Sequence, residues 1–478
     1  MTELRSSGAE PPRSTGAEPP RFTAAELAAA TGGRWIGAAP AELAGVSTDT
    51  RTLSPGALFV ALRGERFDAH AFLAEAAARG AAAAVVDEAW AATGASPVPA
   101  LAVPDTLRAL GAVARHHRRR FGIPVVGVTG SNGKTTTREM IAAILATRGP
   151  VLKTEGNLNN EVGVPLTILG LHARHRSAVI EMGMSARGEI DRLARIAEPQ
   201  VGAVTMAGEA HLETLGSLDA VADAKAELYL ALPENGIAVA NADDARMYPR
   251  ARASGRKLLS FSSMPGVGDV VLLRIEPPAE DGLRFTLGIG TREVAVHVPG
   301  LVGAHNAMNA ACAAAAAVAL GCTDREIAAG LATVAPVGRR LRVETLASGL
   351  VLVDDCYNAN PASMGAALRA LADVASARGR RRVAVLGDML ELGPIEDEAH
   401  ARLGAEAARA GLAALAAFGP RSRRVAEAAR AAGLQAFHTE DAGALVAWAR
   451  DTLSPAGDAL LVKASRGMKL ERLVEALR

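Results

Sequence analysis

The run GVTGSNGKTT, Gly127 to Thr136, constrains this chain more than any other feature. Val125 and Val126 precede it as a β-run, and Met140, Ile141, Ile144 and Leu145 follow on one helical face. A strand that turns through glycines straight into a helix has a specific chemistry open to it. The glycines let backbone N–H groups curl around phosphate oxygens, and the helix N-terminus adds partial positive charge. Lys134 then reaches the β- and γ-phosphates, and the Thr135 hydroxyl ligates Mg²⁺. The spacing departs from GxxxxGK[ST], because Val128 stands where the first glycine belongs. Gly130, Ser131, Asn132, Gly133, Lys134, Thr135 and Thr136 are expected to hold a nucleoside triphosphate. A glycine-rich turn without function is the bland alternative, and the strand–loop–helix setting argues against it. The loop alone does not separate a ligase from a kinase, an ATPase or a GTPase, although the guanine-reading NKxD pattern is not evident.

A chain of 478 residues exceeds what one hydrophobic core fills, so roughly two to four domains are expected. Fifty-two Lys and Arg against 51 Asp and Glu leave a net charge of +1, which steers the chain to neither nucleic acid nor a membrane surface. Cys312, Cys322 and Cys356 make no disulfide framework and no CxxC pair, which fits a reducing compartment. The N-terminus lacks the apolar core of a signal peptide. The longest apolar run, Ala310 to Leu320, is too short to span a bilayer. A soluble cytoplasmic protein without a membrane span is expected.

Residues 1–21 repeat GAEPP and read as a disordered tail. Over 22–107, LFVAL, AFLAEAAARGA and AAAVVD alternate as in a small α/β domain. A second α/β domain, 108–338, carries the phosphate loop and the strands AVIEMG, VGAVTM and GIAVAN. Their alternation with helices predicts a mostly parallel sheet. The pattern restarts over 339–478 with GLVLVDD, RRVAVLGD and DALLVKAS, a Rossmann-like third domain. Three successive α/β domains suggest a substrate gripped in clefts between them.

Further along, Glu181 ends a strand within IEMGMS, where a second metal ligand is needed beside a phosphate loop. His211 follows in AHLETLGS and Lys225 in ADAKAE. Taken singly, such a His is more often structural and such a Lys solvated. In this order, however, GxxGxxGKT, EMG, AHLE…GS and AK resemble the central domain of the Mur ligases and folylpolyglutamate synthetases. The resemblance implies that Thr135, Glu181 and His211 hold Mg²⁺, and that Lys225 is carbamylated and holds a second ion. Lys134, His211 and Lys225 are then the catalytic set. Met206-Ala207 departs from the Asn-led pair usual in the family.

The resemblance runs over roughly residues 22–478. GAHNAMNAA is similar to the segment that places an Asn, here Asn306, beside adenine; read alone, His305 and Asn306 are helix-capping residues. Arg339 and Arg340 stand at the GR motif entering the last domain, and counting back from the next motif favours Arg340 as the phosphate contact. DDCYNANP, Asp354 to Pro361, resembles the DDSYNANP signature of the branch that adds D-alanyl-D-alanine, with Cys356 in place of Ser. It implies Asp355 on the ATP ribose and Asn358 and Asn360 about the site. GDMLELG (387–393) and KASRGMKLE (463–471) resemble later motifs of that branch, with Lys463 and Arg466 as receivers of the dipeptide carboxylate. Ser47, Arg63, Asn157, Asn159 and Asn160 lie in segments similar to the UDP-substrate end, although each alone reads as a turn residue.

The implied reaction activates the UDP-muramoyl-tripeptide carboxylate as an acyl phosphate, which the dipeptide amine then attacks. Two anions must meet, so Lys134, two Mg²⁺ ions and an arginine supply compensating charge. Closure of the third domain would exclude water, with hinges near Leu107 and Gly338. A monomer is expected. The rival readings are a sister ligase, or a nucleotide-switched binding protein that releases no substrate-dependent phosphate.

Overall fold

The computed structural model describes residues 18–64, 67–92 and 94–478, so most of the expected tail lies outside the described residues. Arg21, which composition assigns to the tail, already pairs with Ala44 in a short antiparallel ladder. The described chain forms two compact units. The first runs to Val128 and takes in Arg148–Gly202 and Leu230–Gly236; the second holds Thr129–Thr147, Ala203–Tyr229 and Ile237–Arg478.

In the first unit, strands Arg34–Ile36, Ala100–Val103, Ala83–Asp87, Leu58–Val60 and Val46–Ser47 lie side by side in that order. All but the Arg34–Ile36 pairing are parallel. Val85, Val86, Leu101 and Phe59 are fully buried, as near-continuous apolar strands covered on both faces should be. A parallel set follows, Val151–Lys153, Ser177–Glu181 and Val125–Thr129, with the middle strand between the other two. The helix Thr106–Arg118 packs on Gly163–Leu169 and Glu189–Ala197. Asp105 caps it by accepting from the N–H groups of Leu107 and Arg108. Leu107 therefore sits in a capped first turn, and the irregular chain that a hinge needs lies before it, at Pro104-Asp105.

The second unit places the phosphate-loop helix, Lys134–Ala146, against the helices Ala304–Ala319 and Asp324–Leu331. The Ala-rich run is thus a buried core helix, and among the described residues no helix is long and apolar enough to cross a membrane. Strands Ile237–Asn241, Lys257–Ser262 and Val270–Ile275 are parallel. Gly282–Ile289 and Arg292–Pro299 then add antiparallel. Sequence reading missed this last hairpin, although LRFTLGI and EVAVHV flank a Gly290-Thr291 turn with Gly290 at φ 59. The C-terminal sheet runs Arg342–Thr345, Val351–Asp354, Asp458–Lys463, Arg381–Gly387, Ala414–Phe418 and Ala436–Thr439. Every pairing but the first is parallel. Alternate strand residues feed two apolar layers, Val353, Leu386 and Leu461 on one face and Leu352, Val385 and Leu460 on the other. The α/β expectation, with a Rossmann-like C-terminal part, holds.

The phosphate-loop helix is held close by a glycine. A Cβ on Gly330 would stand 2.4 Å from the Ile144 Cα, so backbone would have to move. Gly330→Ala is expected to cost about 1–3 kcal/mol through overpacking. Thermal unfolding should register this as a fall of several degrees, at about 2–4 °C per kcal/mol. An unchanged melting temperature would show that the helices can part without penalty.

Candidate active site

The phosphate loop is shaped by two glycines in the left-handed half of φ space, Gly130 at 150 and Gly133 at 81. Neither has room for a side chain: a Cβ would lie 1.8 Å from Thr205 Oγ1 at Gly130 and 2.2 Å from Asn309 Oδ1 at Gly133. The Thr205 hydroxyl donates to the Asn132 carbonyl. Ser131 N–H donates to the Met206 carbonyl at 2.9 Å, and the Ser131 hydroxyl donates to the Gly208 carbonyl at 3.1 Å. Met206 thus contributes backbone at the position where the family's Asn departs. Lys134 Nζ folds back onto the Gly130 carbonyl at 2.7 Å. Gly133 starts the helix with no side-chain cap, so its first-turn N–H groups face an anion site, and the donor set fits a phosphate chain. Thr135 is buried there.

Lys225 is not the solvated lysine of the bland reading. It lies in the helix Leu218–Leu230 at 1 % exposure. Burial drives its pKa well below the lysine range, and the charge of Lys134 adds to the effect. His211 adopts φ 58 at the start of Leu212–Leu215, and its Nδ1 stands 2.9 Å from Glu391 Oε2. That hydrogen bond lowers the Glu391 pKa. The carrier loop of Glu391 is well braced. Buried Asp388 accepts from Ser422 N–H and Oγ, both at 2.7 Å, and His400 Nε2 accepts from Met389 N–H at 3.1 Å. Sequence reading noticed GDMLELG but not this bracing, because Ser422 and His400 carry no motif of their own.

The other residues of the second unit are firmly engaged. Asn306 donates to the Val302 carbonyl at 2.8 Å and accepts from Asn309 at 3.1 Å; it lies inside the helix Ala304–Ala319, whose N-cap is Gly303 and which has no side-chain cap, so the capping reading does not hold for it. Burial, with the charges of Lys463 and Arg369, lowers the pKa of neighbouring His305 to about 4. Arg339 is tied to Asp354 at 3.3 Å and Glu475 at 2.9 Å. Arg340 instead lies over the Tyr357 ring, 4.0 Å from its centroid. Asp355 and Lys463, expected on separate ligands, hold each other at 2.6 Å. Lys463 also donates to the Asn358 carbonyl at 2.9 Å, and the Asn358 residue is exposed. Burial raises the Asp355 pKa against the pull of Lys463. Arg466 is exposed and pairs with Glu471 at 3.2 Å. Cys356, in the family's Ser position, bonds Asp354 at 2.9 Å; burial and that bond push its thiol to about 12.

In the first unit, Glu181 is 2 % exposed and accepts from Asn159 Nδ2 at 2.8 Å. Asn160 accepts from Gly163 N–H at 2.8 Å, and Asn157 is exposed. Ser47 closes a turn on Asp49. Arg63 spans Asp68 at 3.0 Å and Asp87 at 3.1 Å, beside buried His70. The Asp87 N–H donates to His70 Nε2, which leaves Nδ1 to donate to Asp68. Among the described residues no three His, Cys, Asp or Glu side chains cluster as a ready metal site.

Three family models tile the chain: a Mur ligase family catalytic domain over 42–118, a Mur ligase middle domain over 128–317, and a Mur ligase glutamate ligase domain over 339–466. The chain belongs to the Mur ligase family. It is 40% identical over 434 residues to the UDP-N-acetylmuramoyl-tripeptide–D-alanyl-D-alanine ligase of Escherichia coli, covering 90% of this chain and 93% of that one. It is 38% identical to the Bacillus subtilis enzyme of the same name, covering 91% and 93%. The crystal structure of MurF from Acinetobacter baumannii superposes with a TM-score of 0.88 at 34% identity, covering 96% of this chain and 99% of that one. MurF from Thermotoga maritima, solved with ADP, gives 0.79 at 28% identity, covering 90% and 96%.

The buried Asp355–Lys463 pair yields a test. Lys463→Met is expected to cost about 3–5 kcal/mol, because it strands a buried carboxylate. Without Lys463 the folded Asp355 pKa rises further above its unfolded value of about 3.9. A raised pKa stabilises the fold below the unfolded value and loses that contribution as pH climbs through the folded one. The deficit of Lys463→Met in urea unfolding should therefore be largest near neutral pH and shrink on approaching about pH 4. Adding Asp355→Asn should recover much of it. A pH-independent deficit would contradict the buried-charge account.

Proposed function

We propose that this chain joins D-alanyl-D-alanine to UDP-N-acetylmuramoyl-tripeptide at the expense of ATP, giving the pentapeptide precursor of peptidoglycan, ADP and phosphate. The observation that carries the reading is the uncapped helix start at Lys134–Thr136 behind Gly130 and Gly133, in a chain whose relatives bear that activity's name over most of their length. We assign 22–107 to the UDP-substrate, 108–338 to ATP and 339–478 to the incoming dipeptide. The protein acts as a cytoplasmic monomer.

The tripeptide carboxylate attacks the γ-phosphorus, ADP leaves, and an acyl phosphate forms. The dipeptide amine adds to the acyl carbon, loses a proton, and expels phosphate as the amide forms. The first step brings two anions together, so its barrier is mainly electrostatic. Gly130 to Thr136 cradle the phosphates and Lys134 neutralises the transferring group. Arg340, held flat by Tyr357, adds a second positive charge. Asn306 faces adenine and Asp355 the ribose. Asp355 and Lys463 already hold one another, so a ligand there joins an existing pair. Arg466 and Asn358, both exposed, receive the dipeptide with Lys463. Ser47, Arg63, Asn157, Asn159 and Asn160 line the UDP end.

Mg²⁺, when bound, offsets the charge of both anions; we assign Thr135, Glu181, His211 and Lys225 to two ions. The amine of Lys225 suits Mg²⁺ poorly, since hard cations prefer oxygen. Burial, with the charge of Lys134, lowers its pKa and so favours the neutral amine, the form that adds to CO₂ and, on losing a proton, becomes an oxygen-bearing carbamate. A lysine that stayed an ammonium would repel the metal.

Purified protein should release ADP only with UDP-muramoyl-tripeptide present, and form amide only when D-alanyl-D-alanine is added. A chain that binds both nucleotides yet releases no substrate-dependent phosphate overturns the reading. Lys134→Ala should lower turnover by about a thousandfold or more while leaving the melting temperature unchanged. Lys225→Ala should lose most activity and regain part of it with a short-chain carboxylic acid, which supplies the missing carboxylate. Near-normal activity of Lys225→Ala, with no response to acid, would rule out the carbamate.

A further inference from the structure

The phosphate loop is joined to the C-terminal domain by a contact that the activity above does not use. Asn132, at the tip of the loop, donates from Nδ2 to Asn360 Oδ1 at 3.1 Å, and Asn360 Nδ2 donates back to Asn132 Oδ1 at 2.8 Å. The two amides form a closed reciprocal pair, the arrangement in which each side chain satisfies the other's donor and acceptor. Asn360 is 7 % exposed and Asn132 half-buried, so the pair is partly shielded from water. The Asn360 Oδ1 also accepts from Ser363 N–H at 2.9 Å, capping the helix Pro361–Ala377. One carboxamide therefore ties the loop tip to the first turn of the 17-residue helix that leads the C-terminal domain. On the loop side the Asn132 carbonyl takes the Thr205 hydroxyl, and neighbouring Gly133 abuts Asn309.

We propose that Asn132 and Asn360 are positioning residues that transmit nucleotide occupancy of the loop to the C-terminal domain. A phosphate chain on the loop fixes the backbone at Asn132 and with it the direction of the side-chain amide. Only in that direction do both hydrogen bonds to Asn360 close, so the helix Pro361–Ala377 and the Tyr357–Asn358 segment before it are set where the incoming substrate meets them. The inference rests on the ligase reading for its kinetic consequence, but its structural part needs only that the loop binds a nucleotide. Two further links, His211 to Glu391 at 2.9 Å and Glu209 to Arg402 at 2.7 Å, hold the domain when the amide pair is broken. Loss of the pair thus changes register rather than fold.

Asn360→Asp isolates the effect. Aspartate keeps the helix cap, since its oxygen still accepts from Ser363 N–H, but it has no amide hydrogens to return to Asn132. Hydrogen exchange is read on the full chain with and without ATP plus Mg²⁺, over peptides spanning 128–140 and 358–370. In the parent, nucleotide should slow exchange in both segments. In Asn360→Asp it should slow the first as before and leave the second unchanged. Equal protection of the second segment in the variant would overturn the proposal. In turnover, Asn360→Asp should lower kcat by about tenfold while the ATP KM stays within about twofold. The double variant Asn132→Ala/Asn360→Asp should be no worse than the poorer single one. Losses that multiply, in a variant whose melting temperature matches the parent, would also overturn it. A parent that shows the exchange pattern without substrate-dependent phosphate release would sink the ligase reading and leave this coupling standing.

Discussion

The crowding around Gly130 and Gly133 is the constraint from which the second unit is built. Thr205 and Asn309 occupy the space a side chain would take, so the chain after the neighbouring strand and the start of the Ala304–Ala319 helix rest directly on the loop. Thr205 then bonds Asn132, Asn309 bonds Asn306, and Asn306 bonds the Val302 carbonyl. The polar atoms that surround the loop are thereby committed to one another. Backbone N–H groups held in this way can be aimed at phosphate oxygens.

The same unit solves the problem of buried charge in three different ways. Asp388 is fully buried and has its hydrogen bonds from the Ser422 N–H and hydroxyl. Asp355 is matched by Lys463 at 2.6 Å, where attraction opposes desolvation without reversing it. Lys225 has neither solution: its environment contains another cation, so burial and repulsion act in the same direction. The first two arrangements are complete as they stand. The third leaves a buried amine beside a second cation, where the neutral form is favoured over the ammonium.

Legibility in the sequence followed the range of the interactions concerned. GVTGSNGKTT was readable because strand, glycines and helix are contiguous, and the motif order identified the family before any geometry was known. Spacing favoured Arg340 over Arg339 but could not show their surroundings: Arg339 is tied to Asp354 and Glu475 and Arg340 lies over Tyr357, partners that meet them only after folding. Lys463 and Asp355 were given different ligands because the 108 residues between them hide their contact. The Asn132–Asn360 pair spans 228 residues and joins two motifs that each read as complete alone. The Gly282–Pro299 hairpin was missed for another reason: alternating LRFTLGI and EVAVHV carry a period-2 signal, but the expectation of parallel strands left no place for it.

The links between the phosphate-loop segments and the C-terminal domain differ in kind, and the difference bears on how the molecule can work. His211–Glu391 and Glu209–Arg402 are exposed enough for water and salt to weaken them, and such pairs contribute about 0–1 kcal/mol each. The amide pair is half-buried and doubly bonded, at about 0.5–1.5 kcal/mol for each hydrogen bond. Against these, nucleotide binding at a hundredfold excess over its Kd contributes about 2.7 kcal/mol, a comparable amount. Apolar packing of Val302 on the C-terminal core adds to these polar links. Geometry adds selectivity to this weakness. An ion pair tolerates displacement because charge attraction falls off slowly, but a reciprocal amide pair requires both partners in one plane and one register. Compared with His211–Glu391 and Glu209–Arg402, the amide pair is the link whose strength depends sharply on where the loop tip points.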